Sequence, residues 1–583
     1  REGYAFMGIN QEVADFDTVR DYFLGIYNTE NNPAGVEAEQ LSNSILKGGI
    51  GCAALRSELT LEANEEKTII VKLGFAKSKE KAQEINSYFN NDEVVEKELA
   101  AVKNVWEDYL DNFTVDSPDK DIDIALNVWN QYQCKTTFDW SRYISFYENG
   151  EGRGMGTRDS CQDTLAVCSQ LPEQVRDRII QIITTTQFET GDCYHQFFPL
   201  GGEGDLKGFS DDHLWIIQMV YAYIAETGDI ELLDEVVKYA DSDQTDTIYD
   251  HLLAALDYTA RNTGEHGLPL ILTADWNDTL HLWMEAEKPE SVLVAELYIY
   301  GLKLMAKLAR KMDKEDDAQE FIERADKMAD IINKECWDGE WYLRGFGSEV
   351  IGTKESERAK LFLNTQSWAL ISGVANETRA KKCMESVRKH LSSPEGLKLI
   401  WPPFDEYDQT YGLVSRYNIG RKENGIFAHA NAWAVVAECI LGRGDLAHEY
   451  YKNVLPLTRN DQADVLKTEP YVFCQTICSE DSINRGEGAN SWLTGTASWM
   501  YVAVSEYLLG IKATLDGLKI NPSIPKEWDG FTVRRKFRGD TYQIKVITSK
   551  EKNSEDIKIV VDGKELPNQT IKPFNDGKTH QVK

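Results

Sequence analysis

Hydrophobic and polar positions change their rhythm three times along the chain. In residues 1–80, short runs such as Ser57–Leu61 and Thr68–Leu73 alternate with breaks such as Asn31–Gly35, the pattern of strands joined by turns. From Ser78 to about Asp111 the chain turns charged and rich in Ala, Lys and Glu, with apolar residues at helical spacing, as a bridging helix requires. From Ser117 to about Leu509 the pattern predicts roughly a dozen helices, many opening on Ser, Asp or Pro, separated by long loops rich in Gly, Trp, Tyr and Asp. They recur as pairs, for example Glu231–Ala240 with Ile248–Arg261, Leu293–Met312 with Asp316–Asn333, and Ala359–Ile371 with Glu377–His390. No repeated motif accompanies the pairs, so either a solenoid or a closed double ring of helices satisfies the pattern. After Gly510 strands return at Leu518–Ile520, Phe531–Arg538, Thr541–Thr548 and Ile557–Val561.

Four loop clusters concentrate groups with chemical potential. GRGMGTRDSCQD at 152–163 sets Arg153, Arg158, Asp159 and Asp163 among glycines just before a helix; the glycines admit a ligand to the backbone, and guanidinium forks and carboxylates grip hydroxyls or anions. The plainer reading is a capped helix start with structural ion pairs. TADWNDTL at 273–280 brackets Trp276 and Asn277 with Asp275 and Asp278. An indole beside an acid suits a sugar, whose C–H face it covers while the acid protonates a glycosidic oxygen; a loop with Asx turns and a core Trp would read the same. SRYNIGRKENGIFAHANAW at 415–433 offers Arg416, Tyr417, Arg421, Lys422 and Glu423 before His429, which on its apolar segment also fits a core histidine. SWLTGTASW at 491–499, preceded by Arg485 and Glu487, puts Thr494, Gly495 and Thr496 at a helix start, where hydroxyl and amide donors could cradle an anion.

Composition narrows the field. With 63 Lys and Arg against 96 Asp and Glu, the net charge of −33 opposes any extended phosphate-tracking surface, so nucleic acid is not an expected partner. No run of about 18 apolar residues suggests a membrane span. The ten cysteines include no Cys-x-x-Cys spacing and fit free thiols in a reducing cytoplasm. No phosphate-loop, dinucleotide, metal-ligand or nucleophile-elbow motif is present, so chemistry without metal or cofactor is expected.

Taken in order, the four clusters make the chain resemble the inverting β-glycoside phosphorylases of glycoside hydrolase family 94, the cellobiose, cellodextrin and chitobiose phosphorylase group. FLGIYNTENNPAGVEAEQLSNS at 23–44 resembles the family's N-terminal β-sandwich. The resemblance implies a multidomain, mainly α protein: a partial β-sandwich over residues 1–80, a helical linker over 81–116, an (α/α)6 barrel over 117–510 and a small β domain over 511–583. The family's sandwich is larger than residues 1–80, so about its first half is expected to be missing, which puts a homodimer in question.

By the same resemblance Asp278 is the general acid, Trp276 lies beside it in the sugar site and Asp275 is its supporting carboxylate. Arg153 and Asp159 hold the non-reducing glucosyl unit with Arg158 adjacent, His429, Thr494 and Gly495 take phosphate, and Tyr417 and Lys422 line the acceptor sugar. Glu487 is counted with the substrate contacts. The implied reaction is reversible phosphorolysis of a β-linked gluco-disaccharide or oligosaccharide, cellobiose-like, to α-glucose 1-phosphate, with inorganic phosphate as co-substrate.

Physical logic agrees. An inverting hydrolase needs two carboxyls about 6.5–9.5 Å apart, one to activate water, whereas phosphate is already a nucleophile that a second carboxylate would repel. Asp278 must carry a proton when the glycosidic oxygen arrives, a state that burial against Trp276 favours. Two rival readings remain: an inverting hydrolase with Glu487 as base, and a catalytically silent carbohydrate-binding protein.

Overall fold

The computed structural model describes residues 3–143, 154–198, 204–205, 207–548 and 557–583, apart from the Ser141 side chain. It divides into two compact units, Arg1–Tyr109 and Leu110–Lys583. In the first, Tyr4–Ile9 pairs antiparallel with Val71–Ala76, and Asp15–Val19 with Gly51–Arg56. Asp15 and Asp17 pin the second ribbon: Asp15 accepts from Arg56 Nε and Leu41 N, and Asp17 from Ser44 N and Oγ. Strand alternation gathers Ala5, Met7, Ile9, Val71, Leu73 and Phe75 on one face of the first ribbon. The run Ser57–Leu61, expected as a strand, is irregular, and the second expected strand begins at Val71.

The second unit contains the (α/α)6 barrel. Six helices form a closed inner ring, each packed on the next: Thr157–Thr164, Asp212–Thr227, Val292–Lys311, Leu363–Ile371, Ala428–Ile440 and Thr496–Val502, the last returning to the first. The outer ring is built from Asn130–Thr136, Pro172–Thr186, Ile248–Arg261, Glu315–Glu335, Glu377–Leu391 and Gly444–Val454. Two helices show how the rings differ. The outer Glu315–Glu335 buries only the stripe Ala318, Phe321, Ala325, Met328 and Ile332, whereas the inner Ala428–Ile440 is buried from Ala428 to Cys439, so it has no polar face to give to water. Four inner helices send Trp215, Trp368, Trp433 and Trp499 to the barrel axis, where neighbouring ring centroids lie 5.4–6.4 Å apart.

Two expected elements are corrected. Glu231–Ala240 is a short 3-10 turn, Ile230–Asp234, followed by a hairpin of Val236–Lys238 and Thr245–Thr247. The bridging helix ends at Leu110, and Phe113–Asp116 is a strand at the edge of the six-stranded C-terminal sheet, antiparallel to Gly530–Phe537. No helix among the described residues is long and apolar enough to cross a membrane.

Candidate active site

Every inner helix directs its N-terminus to the same end of the barrel, and the candidate residues sit there. Arg158 and Asp159 lie in the first turn of Thr157–Thr164, Asp211 precedes Asp212–Thr227, and Ser291 caps Val292–Lys311. Asn364 and His429 open their helices, and Gly495 precedes Thr496–Val502. Each such terminus carries a partial positive charge, here answered in part by caps, Ser291 Oγ accepting from Val294 N and Asn364 Oδ1 from Thr365 N, and by Asp159, Asp211 and Asp212.

Arg158 is the hub. Its guanidinium donates to Asp211 Oδ1 at 3.0 Å, to the Asp275 carbonyl at 2.9 Å and to Asp278 Oδ1. Burial works against the charge, but Asp211, Asp278, Asp212 and Asp159 hold it protonated far above neutral pH. Asp278 stays accessible, with half of its side chain exposed. It is therefore not buried against Trp276 as expected; its carboxylate faces Arg158. Trp276 is 7% exposed, edge-on to Phe427 and to His429 at 5.3 Å between centroids, and tilted over Trp433. The indole is a wall of the barrel floor more than an open platform.

Asp275, expected among the sugar contacts, is fully buried and its acceptor positions are taken up. Arg344 Nη2 reaches both its oxygens at 2.6 and 2.7 Å, Ser291 Oγ donates at 2.7 Å and Asn277 N at 3.0 Å. Its role is to hold the loop. Asn277 continues the lattice, accepting from Arg344 and Asn364 at 3.0 and 2.8 Å and donating to Glu423 Oε2 at 3.0 Å. Thr279 Oγ1 donates to the other Glu423 oxygen at 2.8 Å. Glu423 thus clamps the residues on both sides of Asp278, and burial, with the Asp278 charge nearby, pushes its carboxyl up to about 7.

Across Trp276 lies the second group. Burial pushes His429 down to about 3, so its imidazole is neutral, and its Nε2 is buried without a hydrogen-bond partner among the described residues. Gly495 lies flush against the ring: a Cβ there would sit 2.7 Å from Cε1 and 2.9 Å from Nδ1. Thr494 Oγ1 pairs with Thr496 Oγ1 at 2.8 Å and accepts from Thr496 N at 3.1 Å. The structure thus joins His429, Thr494 and Gly495, some 65 residues apart in sequence.

The remaining expectations divide. Asp159 lies 3.6 Å from Arg142, which also grips Asp163 at 2.7 and 2.9 Å. Lys422 Nζ sits 5.0 Å over the Tyr417 ring. Glu487 is held by Lys467 at 2.8 Å and faces Arg421 at 3.7 Å, which keeps its carboxyl below the usual range; among the described residues no hydrogen bond or ion pair ties it to Asp278 or His429. Arg153 lies outside the described residues. Sequence reasoning missed Arg344, Asn364, Asp211 and the His195–Asp212 pair, joined at 2.9 Å, and named Glu423 without giving it a role. Only the Asp211–Asp212–His213 run before an apolar helix signalled any of them.

One group among the described residues has metal-ligand geometry: Asp540, Asp576 and His580. Asp540 already accepts the amides of Phe574, Asn575, Asp576 and Gly577 at 2.7–3.0 Å, and His580 bridges Asp562 and Asp576. That cluster reads as a turn clasp.

Comparison with known proteins settles the family. The model for the catalytic domain of the glycosyl hydrolase 94 superfamily matches residues 105–510, and that for the glycosyl hydrolase 94 supersandwich domain matches residues 1–92. The chain belongs to the glycosyl hydrolase 94 superfamily. Among curated relatives, an N,N'-diacetylchitobiose phosphorylase from Vibrio proteolyticus is 34% identical over 575 residues, covering 94% of this chain and 71% of that protein. A solabiose phosphorylase from Paenibacillus borealis is 31% identical over 584 residues, covering 99% and 74%. Among solved structures, a bacterial glucoamylase complexed with acarbose aligns with a TM-score of 0.55 at 12% identity over 87% of this chain and 71% of that one, a likeness of fold.

Proposed function

We propose that this chain phosphorolyses a β-linked disaccharide or short oligosaccharide with inversion. The observation that carries the reading is that Trp276 has an accessible carboxyl, Asp278, two residues on in its own loop and packs against His429, whose Nε2 is buried without a partner among the described residues and whose ring lies against Gly495; we take His429, Thr494 and Gly495 as the phosphate cradle. Asp278, paired with Arg158 as it stands, leaves that pair and takes up a proton as the saccharide binds, then gives that proton to the glycosidic oxygen as the bond to the anomeric carbon breaks. A phosphate oxygen, held by the cradle, attacks that carbon from the opposite face, yielding an α-sugar 1-phosphate and an acceptor with a free hydroxyl. Arg158 keeps its bonds to Asp211 and the Asp275 carbonyl when Asp278 turns to the sugar. Neutral His429 serves as a hydrogen-bond donor rather than as a charge, and the helix termini add partial positive charge, since the Arg158 charge is already matched by Asp211 and the carboxylates around it. No cofactor enters this scheme.

The names of the relatives support phosphorolysis, and two of them, chitobiose and cellobionic acid phosphorylases, bracket the acceptor class. A cellobiose-like gluco-substrate is our first choice. The experiment is to assay sugar 1-phosphate and free sugar from cellobiose, N,N'-diacetylchitobiose and laminaribiose with and without inorganic phosphate. Phosphate-dependent sugar 1-phosphate is expected. Sugar release without phosphate would replace the reading with a hydrolase, and binding without either product with a silent carbohydrate-binding protein.

A further inference from the structure

His195 and Asp212 form a buried pair that the scheme above leaves without a task. His195 Nδ1 lies 2.9 Å from Asp212 Oδ2, and the other Asp212 oxygen is buried without a hydrogen-bond partner among the described residues. Burial works against charge on the imidazole, but Asp212, by charge and by hydrogen bond, raises the ring's pKa above the ordinary histidine value, with Arg158 opposing and Asp278 adding to the rise. The pair stands where three segments of the site meet. The His195 carbonyl accepts from Thr157 N at 2.8 Å and the Tyr194 carbonyl from Thr157 Oγ1 at 2.6 Å, which ties the histidine's strand to the helix turn that carries Arg158. Asp212 follows Asp211, the carboxylate that grips Arg158. The His195 ring stacks on Phe209 at 3.7 Å between centroids and 14° between planes, and Arg158 Cζ lies 5.8 Å from the same Phe209 ring. The Phe209 segment is in turn bonded to the candidate acid's loop, Ser210 N donating to the Ala274 carbonyl at 2.9 Å and Thr273 N to the Gly208 carbonyl at 2.8 Å.

Charge gives this position its consequence. Arg158 has four carboxylates about it, Asp211, Asp278, Asp212 and Asp159, and among the described residues its donors reach two of these, Asp211 and Asp278. When Asp278 turns to the sugar, the guanidinium has to stay on Asp211. Asp212 is fully buried, and a buried carboxylate without a cation is costly enough to draw the nearest one. Burial raises the Asp211 carboxyl against the pull of Arg158, and the Asp212 charge adds to that rise, so an unanswered Asp212 would also loosen Asp211 from Arg158. His195 answers Asp212 from the far side, and the competition ends. We propose that His195 is a positioning residue of the reaction: by occupying Asp212 and bracing Phe209 it reserves Arg158 for Asp211 and Asp278. The inference rests on the phosphorolysis reading for its effect on turnover but not for its effect on Asp278.

The test compares the wild type with His195→Leu and with the double variant His195→Leu, Asp212→Asn, which removes the charge that His195 answers. With phosphate and whichever of cellobiose and N,N'-diacetylchitobiose is turned over, kcat is expected to fall about 10-fold or more in His195→Leu with the phosphate KM changed less than about 2-fold, and most of that loss should return in the double variant. His195→Asn keeps a donor for Asp212 but not the cation, serves should the leucine variant not fold, and should lose about 3-fold or more in kcat. Full kcat in the single variants, or no recovery in the double variant, would overturn the assignment whatever the melting temperatures do. Carbodiimide labelling of Asp278, read by peptide mass mapping near neutral pH without saccharide or phosphate, keeps the two readings apart. Carbodiimides attack protonated carboxyls, so Asp278 loosened from Arg158 should be labelled about 3-fold faster or more in His195→Leu and at the wild-type rate in the double variant. That result upholds the role of His195 even if no sugar 1-phosphate forms, and equal labelling in the wild type and His195→Leu refutes it even if phosphorolysis is confirmed.

Discussion

Side chains at the barrel's open end differ sharply in how much each tolerates. Gly495 has φ −65° and ψ −6°, which any residue adopts, so Gly495→Ala is a purely steric probe. The added methyl would lie 2.7 Å from His429 Cε1, and that ring is boxed in by Trp276 and Trp433. We expect the phosphate KM to rise about 10-fold or more while the saccharide KM changes little; equal effects would mean that the ring bears on the sugar. Asp278→Asn removes a proton but little volume from a half-exposed side chain, so phosphorolysis should fall by about 10²–10⁴-fold with the melting temperature nearly unchanged. Near-normal turnover would sink the acid assignment.

Glu423 gives a prediction about pH. Its folded-state carboxyl stands at about 7 against an ordinary 4.5, because it is buried and faces the Asp278 charge. Between those values the folded chain binds more protons than the unfolded one, so this group's contribution to stability is full below about 4.5 and is lost as pH rises through about 7. Glu423→Gln should flatten that slope: the melting temperature should drop less from pH 5 to about pH 8 than in the wild type. A parallel decline in both proteins would refute the shift.

At the scale of elements, the loop 273–280 is held from outside its own sequence. Arg344 lies 69 residues from Asp275 and Asn364 lies 87 from Asn277. Arg344→Met leaves Asp275 buried without its counter-ion, at a cost of about 3–5 kcal/mol. The melting temperature should fall accordingly, and the double variant Asp275→Leu with Arg344→Met should recover part of the loss; no recovery would mean that the two do not act as a pair.

The same distances explain what the sequence shows and what it hides. Helix pairing was legible, because Leu293–Met312 with Asp316–Asn333 and Ala359–Ile371 with Glu377–His390 announce themselves locally, but which helices line the inner ring was not: Thr157–Thr164 is buried there although its sequence is mostly polar. The residues of TADWNDTL alone did not separate Asp275 from Asp278, and only the family resemblance singled out Asp278, since which carboxylate is buried depends on Arg344 and on Arg158, neither of them nearby. Phe113–Asp116 escaped notice as a strand because its partner, Gly530–Phe537, lies at the other end of the chain. Glu231–Ala240 has helical composition, yet Ile248 N and the Glu235 carbonyl close it into a hairpin, a tertiary override of local propensity.

For the whole molecule, a net charge of −33 sets a problem for the proposed reaction: phosphate, a dianion, would have to enter a strongly acidic protein. Six helix N-termini and Arg158 face one opening, while His429 adds a donor without adding charge. The same opening gathers Asp159, Asp211, Asp212 and Asp278 around Arg158, so an anion would be held there by directed donors rather than by net positive charge, and such local binding responds to salt differently from the global repulsion. Chloride at moderate ionic strength screens the self-repulsion of the whole surface and should raise the melting temperature modestly whatever the site holds. Phosphate, if it binds the folded cradle alone, adds a stabilisation that grows with the logarithm of its concentration, about 2.7 kcal/mol at a hundredfold excess over Kd. At matched ionic strength, phosphate should thus raise the melting temperature above chloride, and the excess should vanish in Gly495→Ala while the chloride response persists. An excess of the same size in that variant would show that phosphate stabilises elsewhere, and no excess at all in the wild type would mean that the cradle does not take phosphate without sugar.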